Sequence, residues 1–193
     1  MTPQALCTAS HPRVKSLHLR GNRAQSDSMS TPTDHRTEPE RTPDGHHFVI
    51  DGRRWRATDP SIPDSFRQEL VDELMAARRA VKDGETDARG RVQDAKVALG
   101  ERGHPWWEQR TGSGFDERIA AAIRTLTRRR EGSSICPSDV ARTVGGDTWR
   151  DSMDDVRRIA GALAAQGDVV VTQKGEPVRI DHVRGPVRIS AIR

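Results

Sequence analysis

The residues of this sequence that could carry out chemistry are its histidines, cysteines and arginines, and their spacing decides between catalysis and binding. The chain has seven histidines and two cysteines. His46 and His47 are adjacent, but no cysteine and no metalloprotease-type histidine spacing accompanies them. Gly112-Ser113-Gly114 lacks the preceding strand and the third glycine of a phosphate-binding loop. We therefore predict a non-enzymatic protein with no metal and no other cofactor.

Cys136 lies directly before a proline, and proline is favoured at the first position of a helix. We expect Cys136 at the N-cap and Val140 on the buried face. A cysteine at a helix N-terminus can become reactive; the alternative hypothesis is a small, partly buried residue, since no histidine, lysine or second cysteine lies nearby in sequence. Cys7 lies in a polar tail, so we expect no structural disulfide and predict a reducing, cytoplasmic location.

The remaining candidates are basic residues, which fits a net charge of +4. Arginine and lysine bind phosphate without reading base sequence, and acidic neighbours such as Asp151, Asp154 and Asp155 oppose that role. A charged, solvated strand edge is the alternative for the basic residues near the C-terminus. The candidate nucleic-acid-binding residues are Arg150, Arg157, Arg158, Lys174, Arg179, Arg184 and Arg188.

The elements that must position these residues follow from hydrophobic periodicity. A helix is predicted over Phe115 to Arg130, a short helix after Pro137, a turn at Gly145-Gly146, and a third helix that Thr148 caps and Gly167 ends. A β ribbon follows, with a strand from Asp168, a turn over 174–177 and a return through 187–189. Three helices and a ribbon in this order indicate a winged helix-turn-helix.

The N-terminal part has a different composition. Residues 1–45 are polar and without period, which predicts a disordered tail, and Met29 is an alternative start to Met1. Asp51-Gly52 predicts a hairpin turn between short strands that begin near His47. Phe48, Ile50 and Trp55 should supply the apolar side of that hairpin and pack on the next segment. Two amphipathic helices, Ser65–Lys82 and Thr86–Leu99, complete a small α+β module.

Two clusters have both a structural and a binding interpretation. The adjacent Trp106 and Trp107 could stack on bases, or they could fix the helical hairpin to its neighbour, which we favour. Arg128, Arg129 and Arg130 end the predicted helix, where cations complement the helix dipole. The same three arginines could instead bind phosphate.

Several motifs in the C-terminal part are specific enough to suggest a relationship. The segments ICPSDVAR, VTQKGEPV and RGPVRI, between Ile135 and Ile189, resemble a bacterial domain-of-unknown-function family with a winged-helix fold. The resemblance implies that fold and no activity. Upstream, RRWRATDP and AKVALGERGHPWWE resemble an actinobacterial module that brings no known chemistry.

The prediction is a mainly α (α+β) protein with no membrane span. We expect a disordered tail (1–45), an α+β module (46–108), a linker (109–114) and a winged-helix domain (115–193). The predicted function is nucleic-acid binding, DNA foremost, with a regulatory role. The alternative is a protein-interaction module, in which the acidic face of the third helix meets a basic partner. The oligomeric state stays open.

Overall fold

Helices and two small antiparallel sheets build residues 39–192, which are the residues that the computed structural model describes. The predicted class, mainly α with β (α+β), is confirmed. The helices are α1 (Asp64–Lys82), α2 (Ala88–Ala98), α3 (Gly112–Arg129), α4 (Pro137–Gly145) and α5 (Met153–Gln166). The strands are β1 (Glu40–Arg41), β2 (His47–Ile50), β3 (Arg53–Arg56), β4 (Val169–Gln173), β5 (Glu176–Pro177) and β6 (Arg188–Ala191).

The N-terminal sheet has the order β1-β2-β3 with both pairs antiparallel. Asp51 and Gly52 have φ values of 50° and 71°. Two consecutive positive φ values are those of a type I′ turn, which the Asp-Gly pair predicts. The predicted hairpin is therefore present, and β1 adds a third strand.

The predicted tail of residues 1–45 extends too far, because β1 pairs with β2. A tight turn connects the two strands, in which the Asp44 Oδ1 accepts hydrogen bonds from the Thr42 hydroxyl (2.6 Å) and the His46 amide (2.9 Å). Such side-chain turns need no apolar period, so polar composition alone did not indicate them. The rest of the predicted tail lies outside the described residues, and with it Cys7 and Met29.

The helical hairpin α1–α2 agrees with the prediction to within two residues at each end. Gly84, with a φ of 81°, lies in the connection between the two helices. Leu70, Leu74 and Ala77 of α1 are buried, as their four- and three-residue spacing predicts.

α3 begins at Gly112 rather than at Phe115. The predicted linker 109–114 therefore overlaps the first turn of this helix. Phe115, Ile119 and Leu126 on its apolar stripe are all buried. α4 starts at Pro137 with Cys136 at the N-cap, as predicted, and the Cys136 amide donates to Asp139 Oδ2 over 3.1 Å.

The predicted cap at Thr148 is wrong. Gly146–Ser152 forms a 3₁₀ segment, and α5 begins only at Met153. Thr148 has φ −97° and ψ 25°, and its hydroxyl accepts from Arg110 Nη1 (3.0 Å) instead of capping a helix. The contact comes from a residue 38 positions away, so the local sequence could not indicate it. Val156, Ala160 and Leu163 of α5 are buried as expected.

The C-terminal sheet has the order β5-β4-β6. Lys174 and Gly175 have φ values of 53° and 92°, so the turn is a two-residue type I′ turn. The observed turn is therefore shorter than the predicted turn over 174–177, because residues 176 and 177 form β5. Ile135, just before α4, pairs with Ile189 of β6 in an antiparallel bridge.

One continuous hydrophobic core contains residues from both predicted domains. Leu70 and Leu99 of the N-terminal part belong to the same cluster as Ile119, Val140 and Ile189 of the C-terminal part. The proposed boundary therefore crosses a packed interior.

Candidate nucleic-acid interface

The guanidinium groups of two arginines contact one tryptophan ring in the segment before α5. Trp149 is half-buried against the core, and the guanidinium carbons of Arg142 and Arg150 lie 4.7 and 4.5 Å from its ring centroid. These are cation–π distances. Both arginines are exposed. We call Arg142, Trp149 and Arg150 the arginine–tryptophan cluster; Arg150 was predicted as a binding residue, and Arg142 was missed.

Arg157 points into the protein rather than to a partner. Its Nη2 donates to the carbonyl of Val183 over 2.9 Å and lies within 3.4 Å of the Ile180 carbonyl. Its Nη1 reaches the Gly185 carbonyl at 3.3 Å. These bonds hold the segment between β5 and β6 against α5, which gives Arg157 a structural task.

Arg158 is an exposed residue with two carboxylate partners. Its Nη2 lies 2.7 Å from Asp116 Oδ1 and 2.8 Å from Asp155 Oδ1. The hydrogen bonds to Asp116 and Asp155 raise the pKa of its guanidinium above the ordinary value. Much of the Arg158 charge is therefore balanced within the protein.

The candidates on the C-terminal sheet differ in their surroundings. Lys174 is exposed at the β4–β5 turn, and Arg184 is exposed in the segment before β6. The Arg179 Nη2 is 3.0 Å from Asp181 Oδ2, and this hydrogen bond raises the pKa of Arg179 and lowers that of Asp181. Arg188 is exposed and its guanidinium contacts the Sγ of Cys136.

Acidic residues lie in the first turn of α5 and in the 3₁₀ segment before it. Asp154 of α5 and Asp151 of the 3₁₀ segment are exposed, and Asp155 pairs with Arg158. Asp154 also lines a groove of about 990 Å³ between α5 and the segment that follows β4. The wall of this groove is mostly apolar, with Ala162 and Val178 among its residues.

The three consecutive arginines at the end of α3 make ion pairs with neighbouring helices. Arg128 pairs with Asp94 (2.6 Å), Arg129 with Asp72 (3.1 Å), and Arg130 with Glu69 (2.7 Å). The Glu69 hydrogen bond raises the pKa of Arg130. These contacts link α3 to α1 and α2, which is a structural role other than the predicted helix-dipole one.

The paired tryptophans fix the N-terminal sheet to the rest of the chain. The Trp106 indole N–H donates to the Ala57 carbonyl over 3.0 Å. Trp107 stacks on His46 with ring centroids 4.0 Å apart and an angle of 4° between the planes. The favoured structural role of the pair agrees with both contacts, and His46 is part of this stack.

A buried ion pair was missed from the sequence. Arg118 Nη2 lies 2.6 Å from Asp59 Oδ2, and both side chains are almost fully buried. Burial lowers the pKa of the Arg118 guanidinium, and the charge of Asp59 acts in the opposite direction. The sequence holds one signal: Arg118 lies three residues after the buried Phe115, on the apolar stripe of α3. Burial also lowers the pKa of nearby His104.

Within residues 39–192, no group of three histidine, cysteine or carboxylate side chains is placed to hold a metal ion. None of the helices in the same range is long and apolar enough to cross a membrane.

Comparison with known proteins places one part of the chain. Residues 116–192 match the model of a family described as Protein of unknown function (DUF3253). The match supports the resemblance to a domain-of-unknown-function family that the motifs between Ile135 and Ile189 indicated, and it covers less than half of the chain. No curated protein matches the sequence.

Proposed function

We propose that residues 112–192 form a winged helix that binds nucleic acid, double-stranded DNA foremost, and that its role is binding rather than catalysis. The fold proposal is supported by the order α3, α4, α5 and then a β4–β5–β6 sheet. The bridge between Ile135 and Ile189 adds to this support, because it joins the connection before α4 to the same sheet.

The observation that carries the binding proposal is the arginine–tryptophan cluster. Its two guanidinium groups lie over one half-buried indole, and within residues 39–192 neither forms an ion pair with a carboxylate. Cations without carboxylate partners keep their full attraction for phosphate. In a helix-turn-helix, the first helix crosses the DNA backbone and the start of the second helix enters the groove. Arg142 lies on α4, and Trp149 and Arg150 lie in the 3₁₀ segment directly before α5, which supports a role of the cluster in DNA contact.

The sheet supplies the second set of contacts in the proposal. Lys174 at the β4–β5 turn, Arg184 and Arg188 are exposed, and such residues contact phosphates along a groove without sequence preference. We expect Arg157, Arg158 and Arg179 to contribute less. Their guanidinium groups already bind backbone carbonyls or carboxylates of the protein.

The test is a fluorescence-anisotropy titration of the full chain with a mixed-sequence DNA duplex and an RNA of matching sequence, at two salt concentrations. We expect binding that weakens as salt increases. The double variant Arg142→Gln/Arg150→Gln should bind more weakly. Its plot of log K against log salt should be shallower by about 0.9 for each phosphate that the variant no longer binds.

The matched control is Arg78→Gln/Arg79→Gln, which removes the same charge from exposed positions on α1. Its duplex affinity should stay close to that of the wild type. Equal decreases in both double variants would mean that net charge alone drives binding. Absence of duplex binding at low salt would reject the proposal.

A second candidate function, protein binding, is favoured by the apolar groove beside α5. Its volume of about 990 Å³ is within the range of ligand-binding clefts, and Asp154 and Asp181 lie on its wall. The apolar floor fits the apolar face of an amphipathic partner segment. The wall carries both signs of charge, because three arginines line it beside the two aspartates: Arg157, Arg158 and Arg179. A photo-crosslinking residue at Ala162 should then give a discrete protein adduct, and one at exposed Arg79 should give none.

A further inference from the structure

The outer face of the N-terminal sheet combines aromatic and basic side chains. The strand register places Arg41 opposite Phe48 and Phe48 opposite Trp55, and it pairs Ile50 with Arg53 in the next row. Side chains alternate between the two faces of a strand, so all five lie on one face. We call these five residues the outer sheet face.

This face is exposed, contrary to the expectation that its apolar residues pack on the next segment. Trp55 is 46% exposed and Ile50 is 45% exposed. Arg41 and Arg53 are exposed as well, and Phe48 is half-buried. Large apolar side chains grouped at a surface mark interaction sites more often than isolated ones do.

The opposite face explains why the outer one is left open. On that side, Arg56 Nη1 donates to the Gly103 carbonyl over 2.9 Å, and its guanidinium lies 5.4 Å from the Trp107 ring. His47 contacts the same ring edge-on at 5.6 Å. The sheet is therefore attached to the protein through its inner face, which fixes the direction of the outer one.

The charge of the outer sheet face is positive. Arg41 lies 4.6 Å from the Phe48 ring, and Arg53 lies 5.6 Å from the Trp55 ring. Lys96 of α2 adds a third cation 6.0 Å from Trp55, although it also pairs with Glu101 at 3.6 Å. The only carboxylate within these three strands is Glu40, which pairs with Val49 on the inner face.

We propose that the outer sheet face binds single-stranded nucleic acid, with bases stacked on Trp55 and Phe48 and phosphates bound by Arg41 and Arg53. Unpaired bases expose the flat faces that aromatic side chains stack on, and sheets with aromatic rings on neighbouring strands bind single strands in this way. In a duplex those base faces are covered. The residues of this surface lie outside the segment 112–192, so the proposal goes beyond the function proposed above.

Charge decides between nucleic acid and an apolar protein partner. A purely apolar partner would bury the two arginine charges without a counter-charge, which is costly. A polynucleotide supplies both an aromatic surface and a negative charge at every residue. The two exposed arginines beside two aromatic rings match that combination.

Binding is measured by anisotropy with the full chain and labelled oligo(dT) and oligo(U) of about ten nucleotides, within the range one small domain covers. Trp55→Leu keeps an apolar side chain but removes the stacking surface. We expect it to weaken binding of both oligonucleotides by about tenfold. If the wild type prefers oligo(U), the surface binds RNA. Equal affinities would mean that it binds single-stranded DNA and RNA alike.

The arginine contacts are tested by salt dependence. Arg41→Gln and Arg53→Gln should each reduce the slope of log K against log salt by about 0.7, the value for one phosphate on a single strand. Arg78→Gln, which removes the same charge from α1, should leave the slope unchanged. Slopes that fall equally in all three variants would overturn the proposal.

The two proposed surfaces are separated with the Arg142→Gln/Arg150→Gln variant. It should keep its affinity for oligo(dT) while its duplex affinity falls, and Trp55→Leu should show the reverse. If the protein binds single strands but not the duplex, the proposal for the outer sheet face stands and only the duplex-binding proposal is rejected. Absence of single-strand binding at low salt, or unchanged binding by a Trp55→Leu protein with wild-type circular dichroism, would overturn it. If Trp55→Leu does not fold, the salt slopes decide.

Discussion

At the scale of single residues, the most consequential contact is the buried pair of Asp59 and Arg118. Asp59 Oδ2 accepts from Arg118 Nη2 at 2.6 Å, and its Oδ1 accepts from the Ser61 amide at 2.8 Å and the Ser61 hydroxyl at 2.7 Å. Both oxygens of this carboxylate thus have defined donors. A buried charge that is paired is tolerated, and one that is unpaired is strongly unfavourable.

The residue-scale prediction is that Asp59→Asn lowers the free energy of unfolding by about 3 to 5 kcal/mol. The change leaves the Arg118 charge buried without a counter-charge. Urea unfolding followed by circular dichroism measures the decrease.

Asp116→Asn is the matched control, because it removes the same charge from a pair with the exposed Arg158. Exposed pairs contribute less than about 1 kcal/mol, so its unfolding curve should lie near that of the wild type. A decrease of similar size in both variants would contradict the account of the buried pair.

At the scale of elements, long amphipathic helices were predictable and short irregular segments were not. α1 and α3 follow from apolar residues at three- and four-residue spacing, and the first hairpin turn follows from Asp51 and Gly52, which accept positive φ. β1 and the 3₁₀ segment at Gly146–Ser152 depend instead on side-chain bonds such as Thr42 to Asp44 and Arg110 to Thr148. Those bonds have no period in the sequence, so pattern analysis misses them.

The same limit applies to the candidate site. Arg150 and Lys174 were identified as exposed cations, because turns and helix starts lie at the surface. The backbone bonds of Arg157 and the pairing of Arg158 with Asp116 bring together residues 26 and 42 positions apart. Only the tertiary fold defines such contacts.

The turn between α4 and α5 gives the element-scale prediction. Gly146 has φ 53° and ψ −134°, and a Cβ there would lie 3.0 Å from the Cβ and hydroxyl of Ser61. Gly146→Ala therefore combines backbone strain with a steric clash, and we expect it to lower the free energy of unfolding by about 2 to 4 kcal/mol. Urea unfolding measures the change.

Gly132→Ala is the control for a positive φ without a steric clash. Gly132 has a φ of 80° and nothing within 4 Å of an added Cβ, so its cost should be about 1 kcal/mol. If the two alanine variants were equally stable, Ser61 would not be in close contact with the turn.

At the scale of the whole molecule, the helical hairpin and the C-terminal unit share a core and a set of ion pairs. Arg130 alone links three helices, with Glu69 of α1 at 2.7 Å and Asp139 of α4 at 3.0 Å. Arg128 joins α3 to Asp94 of α2. These contacts couple the parts that sequence analysis separated at residues 109–114.

We therefore expect residues 39–192 to unfold in one transition. Tryptophan fluorescence can report on each part: the Trp149→Phe variant leaves the N-terminal tryptophans, and the Trp55→Phe/Trp106→Phe/Trp107→Phe variant leaves Trp149. Coincident urea midpoints, each compared with circular dichroism of the same variant, are expected for a two-state unit. Separated midpoints would establish two independent domains.

The pair of Asp59 and Arg118 also constrains how this architecture can be recombined. Arg118 lies inside the family-matching segment 116–192, and its partner lies outside it. A gene in which that segment is fused to a different neighbour would inherit the arginine without its carboxylate. Such a chimaera needs either a new acid at the junction or an apolar replacement at position 118 to fold. The ion pair therefore crosses the N-terminal border of the family match.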